Sequence, residues 1–177
     1  MQAAPPSSPP PDPQALLRSR SYLKLLLLAT LIGVPVSAAS YGFLALVDWL
    51  QESLFTDLPK TLGFDAAPTW WPLPLLLLSG LLTALAIREL PGTGGHSPAD
   101  GFHTSGPLPP AQLPGVLLAA LATLGFGAVL GPEAPLIAMG SGLGVLAVSL
   151  AARDAPPTAA AVMSATGSFA AISSLLG

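Results

Sequence analysis

Gly125-Phe126-Gly127-Ala128-Val129-Leu130-Gly131-Pro132-Glu133-Ala134-Pro135 is the stretch on which the fold turns. Glu133 is the only formally charged residue between Asp100 and Arg153. A carboxylate deep in an apolar run costs about 2.5 kcal/mol or more to insert into a membrane, so it marks a functional site by default. Its neighbours fix its local setting. Proline is tolerated in the first turn of a helix and not beyond it, so Pro132 and Pro135 predict a helix that starts at Glu133. Unpaired N–H groups and the macrodipole make such a start favourable for an anion. A buried helix start that accepts a carboxylate is equally suited to a small anion.

The surrounding composition says what kind of molecule holds this stretch. Of 177 residues, 51% are hydrophobic and 8% charged, with a mean hydropathy of +0.68. Soluble domains carry roughly 25% charged residues, so the composition is that of an integral membrane protein. There is no cysteine, which excludes thiol chemistry and disulfides. The formal net charge of -3 is thinly spread, and no basic patch suggests nucleic acid. The 18 glycines and 21 prolines predict close-packed and broken helices rather than simple rods.

Residues 1–20, rich in Pro, Ser and Ala, are expected to form a disordered cytoplasmic tail. Residues 21–177 form the predicted transmembrane domain. Arg18, Arg20 and Lys24 precede an uncharged run over 25–47, long enough to cross a bilayer core of about 30 Å even with a bend at Pro35. Val36-Ser37-Ala38 resembles a secretory cleavage site, but the apolar run continues past it and further spans follow. A polar loop is expected over 48–65, then an interfacial pair, Trp70-Trp71, in a second uncharged span over 66–87 that ends at Arg88-Glu89. Arg18, Arg20, Lys24 and Arg88 on one side against Lys60 on the other place the N-terminus in the cytoplasm. Further apolar helices are expected over 110–130, 133–152 and 158–176, with a turn at Arg153-Asp154-Ala155-Pro156-Pro157. Gly140 and Gly144 stand at the small-xxx-small spacing that lets helices approach closely. The chain stops at the end of an apolar segment and reads as incomplete at its C-terminus.

Gly131-Pro132-Glu133-Ala134-Pro135 resembles the G-K/R-E-G-P motif of the CLC chloride channel and transporter family. Upstream, Pro91-Gly92-Thr93-Gly94 resembles that family's G-S-G-x-P anion-binding loop, in the same order and at a similar spacing. The resemblance covers roughly residues 25–177. It implies an all-α polytopic membrane protein of tilted and broken helices, similar to the first of the family's two inverted halves. The family's gating glutamate maps onto Glu133, and its anion-coordinating serine onto Thr93. Ser97 is the alternative ligand, because Gly95-His96-Ser97-Pro98 carries extra residues before the proline. Gly131 and the backbone amides near Gly94 and Ala134 complete the implied anion site. The resemblance further implies chloride or another small anion as cargo, protons as possible partners, a homodimer in membrane lipid, and no cofactor. Two departures bear on ion preference: Pro132 replaces a basic residue and removes an N–H, and Ala134 replaces a glycine.

Competing readings have less to stand on. An enzyme using Glu133 as acid or base, with His96, lacks a second catalytic group beside Glu133. His96 and His103 have no acidic cluster to make a metal site. Ser141, between Gly140 and Gly142, has no histidine after it to serve as a base, so helix packing explains the triplet better. A structural bundle without transport of its own is the remaining alternative. Transport is therefore preferred over enzymatic activity, with channel and proton-coupled antiporter both open. A bacterial inner membrane is the expected location.

Overall fold

A computed structural model describes residues 20–92, 108–129, 131–151 and 157–176. Every regular element among them is helical. The order is α1 (Arg20–Glu52), a π-helical turn (Ser53–Asp57), α2 (Leu58–Thr61), α3 (Pro72–Glu89), a 3-10 turn (Pro110–Gln112), α4 (Leu113–Gly125), α5 (Glu133–Ala151) and α6 (Pro157–Leu176). α1 with its continuation, α3, α5 and α6 are each long and apolar enough to cross a membrane. The chain is an all-α polytopic membrane protein.

The first span runs much further than charge alone suggests. Helix persists through Asp48, Glu52 and Asp57 to Thr61, where a polar loop is expected. The charged residues lie on an exposed face while Val47, Leu50 and Leu54 continue the inward stripe, so amphipathic periodicity outlasts the uncharged run. Helix runs unbroken through Pro35 as well. The apolar span from Leu26 to Thr61 has 36 residues, or about 54 Å at 1.5 Å per residue, so it tilts in or projects from a core of about 30 Å.

Pro59 explains the π turn. The Leu58 N–H donates to the Ser53 carbonyl, five residues back. The corresponding donor for Leu54 would be Pro59, which has no N–H. Trp71 fills the vacancy, its Nε1–H donating to the Leu54 carbonyl at 2.9 Å. Trp71 is thereby buried while Trp70 stays half exposed, and both rings meet Phe64 at 6.3 Å between centroids. The expected pair of interfacial tryptophans is thus one surface residue and one structural residue. The second span begins at Pro72, six residues later than expected, because Pro72 and Pro74 fit only in a first turn.

From there the helices fold back on one another. α3 and α4 lie antiparallel: the Ser79 hydroxyl donates to the Ala122 carbonyl at 2.8 Å, and Gly115 admits the Pro91 carbonyl just beyond α3. α4 returns to the far end of α1, where the Gln51 side-chain amide donates to the Leu124 carbonyl at 2.9 Å. The helix expected over 110–130 is shorter than that. It begins as a 3-10 turn and ends at Gly125. Gly127 adopts φ +87° and donates to Leu124 O, while the Ala128 N–H reaches Thr123 O, both at 3.0 Å. This is the Schellman pattern, which stops a helix at a residue free to adopt positive φ. At 13 residues, about 20 Å, α4 is shorter than the bilayer core.

α5 and α6 form the tightest pair, antiparallel, through the glycines that the spacing singles out. Gly140 faces the Gly167 backbone, and Gly144 faces the Met163 carbonyl. Leu136, Met139 and Val148 of α5 and Met163 and Ala171 of α6 close on Ile32, Val36, Phe43 and Val47 of α1. The Ser37 hydroxyl ties α1 to α6 by donating to the Ala170 carbonyl at 3.1 Å.

A side chain at Gly167 would drive into the Gly140 carbonyl, whereas Gly80 on α3 faces open space. Gly167→Val is expected to lower stability by about 2–3 kcal/mol. Gly80→Ala is expected to raise it by up to about 1 kcal/mol. Thermal unfolding in detergent checks both.

Candidate functional site

The site is built from a helix that ends and a helix that begins. The Schellman turn closes α4, residues 126–129 and 131–132 are outside regular structure, and α5 starts at Glu133. The first helical hydrogen bond of α5 runs from the Leu136 N–H to the Pro132 carbonyl at 3.1 Å. Pro132 is therefore the cap residue, and Glu133, Ala134 and Pro135 form the first turn. The opening N–H groups of a helix have no carbonyl four residues back to bond. Here Pro132 and Pro135 supply none, so Glu133 and Ala134 carry the two amides that this helix start presents. The sequence expectation of a helix beginning at Glu133 matches the structure.

Glu133, Ala134 and Gly131 are exposed on the face of the chain, while Leu136, one turn on, is fully buried and anchors the helix start. The Glu133 side chain folds back over Gly131. A Cβ at position 131 would stand 2.8 Å from the carboxyl carbon and 3.0 Å from Oε1, and would collide with Oε2. Gly131 thus makes room for the carboxylate beside its own helix start, where the dipole favours negative charge.

Thr93, Gly94 and Ser97 lie outside the described residues, as do His96, Asp100, His103 and the turn at 153–156. The chain on either side of 93–107 is described. Gly92, at φ +112°, packs against Gln112 with space too small for a side chain. Beyond the segment, the Leu108 N–H donates to the Ser141 hydroxyl at 3.2 Å. Gly92 thus lies beside Gln112 at the start of α4, and Leu108 is bonded to α5. Among the described residues, no group of three His, Cys, Asp or Glu side chains stands close enough to hold a metal ion.

Two residues gain roles that the sequence does not advertise. Gln51, expected in a loop, caps the end of α4. Ser141 is more than a spacer between two glycines: it bonds the Leu108 amide and lies 2.7 Å from the Ser164 hydroxyl. Both are polar side chains beside close-packed apolar stretches, which was the available signal.

The arrangement is that of a polytopic membrane protein with a carboxylate at the start of a broken helix. The chain belongs to the voltage-gated chloride channel family, whose profile matches residues 13–176. It is 34% identical over 139 residues to a protein of Escherichia coli strain SMS-3-5 named "Putative ion-transport protein YfeO", covering 78% of this chain and 32% of that one. The protein of the same name from Salmonella paratyphi A is 36% identical over 120 residues, covering 68% and 29%. The chain thus spans about a third of the length of these relatives. No solved structure matches it.

Gly131→Ala is expected to displace the Glu133 carboxylate while leaving the helix start intact. An experimental map of the variant checks this, since an unmoved carboxylate would show that Gly131 makes no room for it.

Proposed function

We propose that the protein to which this chain contributes carries small anions, chloride foremost, across a membrane, and that Glu133 gates the passage. The observation that carries the proposal is the start of α5. The helix begins at Glu133, its dipole favours negative charge there, and the Glu133 carboxylate lies beside it over Gly131. Anion and carboxylate then compete for one favourable position. When Glu133 is ionised it holds that position against the ion, and when it takes up a proton the competing charge is gone. Passage is accordingly favoured as pH falls. Thr93 or Ser97 contributes a hydroxyl, and the amides near Gly94 and Ala134 contribute N–H donors. Family membership supports the choice of anion, and the names of the bacterial relatives support ion transport.

The same reading takes the working unit to be a homodimer with a pathway in each subunit, in a bacterial inner membrane with the N-terminus in the cytoplasm. Channel and proton-coupled antiporter share this gate, so it fits both.

Anion efflux from liposomes tests the gate, using the chain with whatever follows it in its reading frame. Wild-type flux is expected to rise on acidification. Glu133→Gln, a mimic of the protonated acid, is expected to hold flux near the wild-type acid value at every pH. A mutant that keeps the wild-type pH response would rule out gating by Glu133, and a folded wild type without flux would rule out transport. A second comparison identifies the hydroxyl ligand. Thr93→Ala is expected to weaken apparent chloride affinity with expression retained; the same effect from Ser97→Ala alone would transfer the role to Ser97.

A further inference from the structure

Ser141 lies eight residues beyond Glu133 on the same unbroken helix, about 12 Å along its axis. It is buried, and its hydroxyl joins three segments. It accepts the N–H of Leu108, itself buried, at 3.2 Å, and it lies 2.7 Å from the Ser164 hydroxyl of α6. A hydroxyl has one proton and two lone pairs, so it can serve both partners at once. The adjacent Gly142 presses on the Leu113 side chain, at the start of α4. One face of α5 is thus fastened at Leu108 and Leu113 to the chain entering α4.

The two serines are not equivalent. Without the Ser164 hydroxyl, Ser141 still offers an acceptor to Leu108. Without the Ser141 hydroxyl, the Leu108 amide, in a buried residue, loses this acceptor. The chain at Leu108 is then released from α5, the helix that carries Glu133 at its head.

We propose that Ser141 is a positioning residue for the Glu133 site, setting the Glu133 helix in register with the segment that enters α4 at Leu108. The proposal rests on the anion-transport reading, and Ser141 itself touches no ion.

Chloride-dependent flux of the reconstituted protein, with hydrogen exchange at the Leu108 amide, tests it. Ser141→Ala is expected to raise the half-saturating chloride concentration about five-fold with maximal flux retained, and to speed exchange at Leu108. Ser164→Ala is expected to leave both at the wild-type value, and Ser141→Thr, which keeps the hydroxyl, to restore both. Equal shifts in Ser141→Ala and Ser164→Ala would overturn the proposal, because they would reduce Ser141 to helix packing. So would an unshifted Ser141→Ala, a Ser141→Ala that does not fold, or a Ser141→Thr that shifts affinity with Leu108 still protected. Absence of flux in the folded wild type would instead remove the transport reading, while the exchange data would still show whether Ser141 holds Leu108.

Discussion

A backbone amide in hydrocarbon has no water to turn to. Each place where a membrane helix stops must therefore settle its own hydrogen bonds. This chain stops a helix at Gly125 and starts another at Glu133, and much of its unusual chemistry answers that constraint. At the closing end, Gly127 bends the last turn back on itself and the Gln51 amide takes the Leu124 carbonyl. At the opening end, two prolines remove two N–H groups that would otherwise need partners. The amides of Glu133 and Ala134 are then the N–H groups of this helix start, and these are the donors that the proposed site uses.

The same accounting explains the first span. Pro59 denies the Leu54 carbonyl a backbone donor, the helix widens into a π turn, and Trp71 supplies the missing bond. One proline thereby fixes the corner between the first two spans. Hydroxyls do similar work elsewhere, with Ser37 joining α1 to α6, Ser79 joining α3 to α4, and Ser141 joining α5 to both α6 and the chain before α4. Where lipid gives little hydrophobic drive between helices, close backbone approach and such bonds hold the bundle. Gly140, Gly144 and Gly167 provide that approach on α5 and α6.

This packing gives the Glu133 helix its mechanical character. α5 is held by α6 along one side and by the entry to α4 on another, while its first turn projects outward with the carboxylate folded over Gly131. An exposed side chain thus stands at the head of a helix packed on two sides. On the transport reading this is a useful division, because gating then requires motion of a few atoms rather than of the bundle. The chain spans about a third of its relatives' length.

The sequence determined what depends on composition and on proline. The membrane class, the helix start at Glu133, the small-residue contact of α5 and the family signature were all legible, because each rests on a residue type with few permitted settings. The end of α3 at Arg88-Glu89 was legible for the same reason, with Pro91 just beyond it. The continuation of α1 to Thr61 was not, because three acidic residues suggest a loop unless one knows that they share an exposed face. Nor was the end of α4, since Gly125, Gly127 and Gly131 are equal candidates until tertiary contacts choose. Leu50 presses on Gly125, the Phe55 ring covers Gly127, and the Glu133 carboxylate occupies the space beside Gly131. Hydrogen bonds such as Gln51 to Leu124 and Leu108 to Ser141 join residues 73 and 33 positions apart, and distances of that kind are set by how helices pack. Local chemistry wrote where helices begin. Which groups meet across the bundle was decided only by the three-dimensional search for a partner for every buried polar atom.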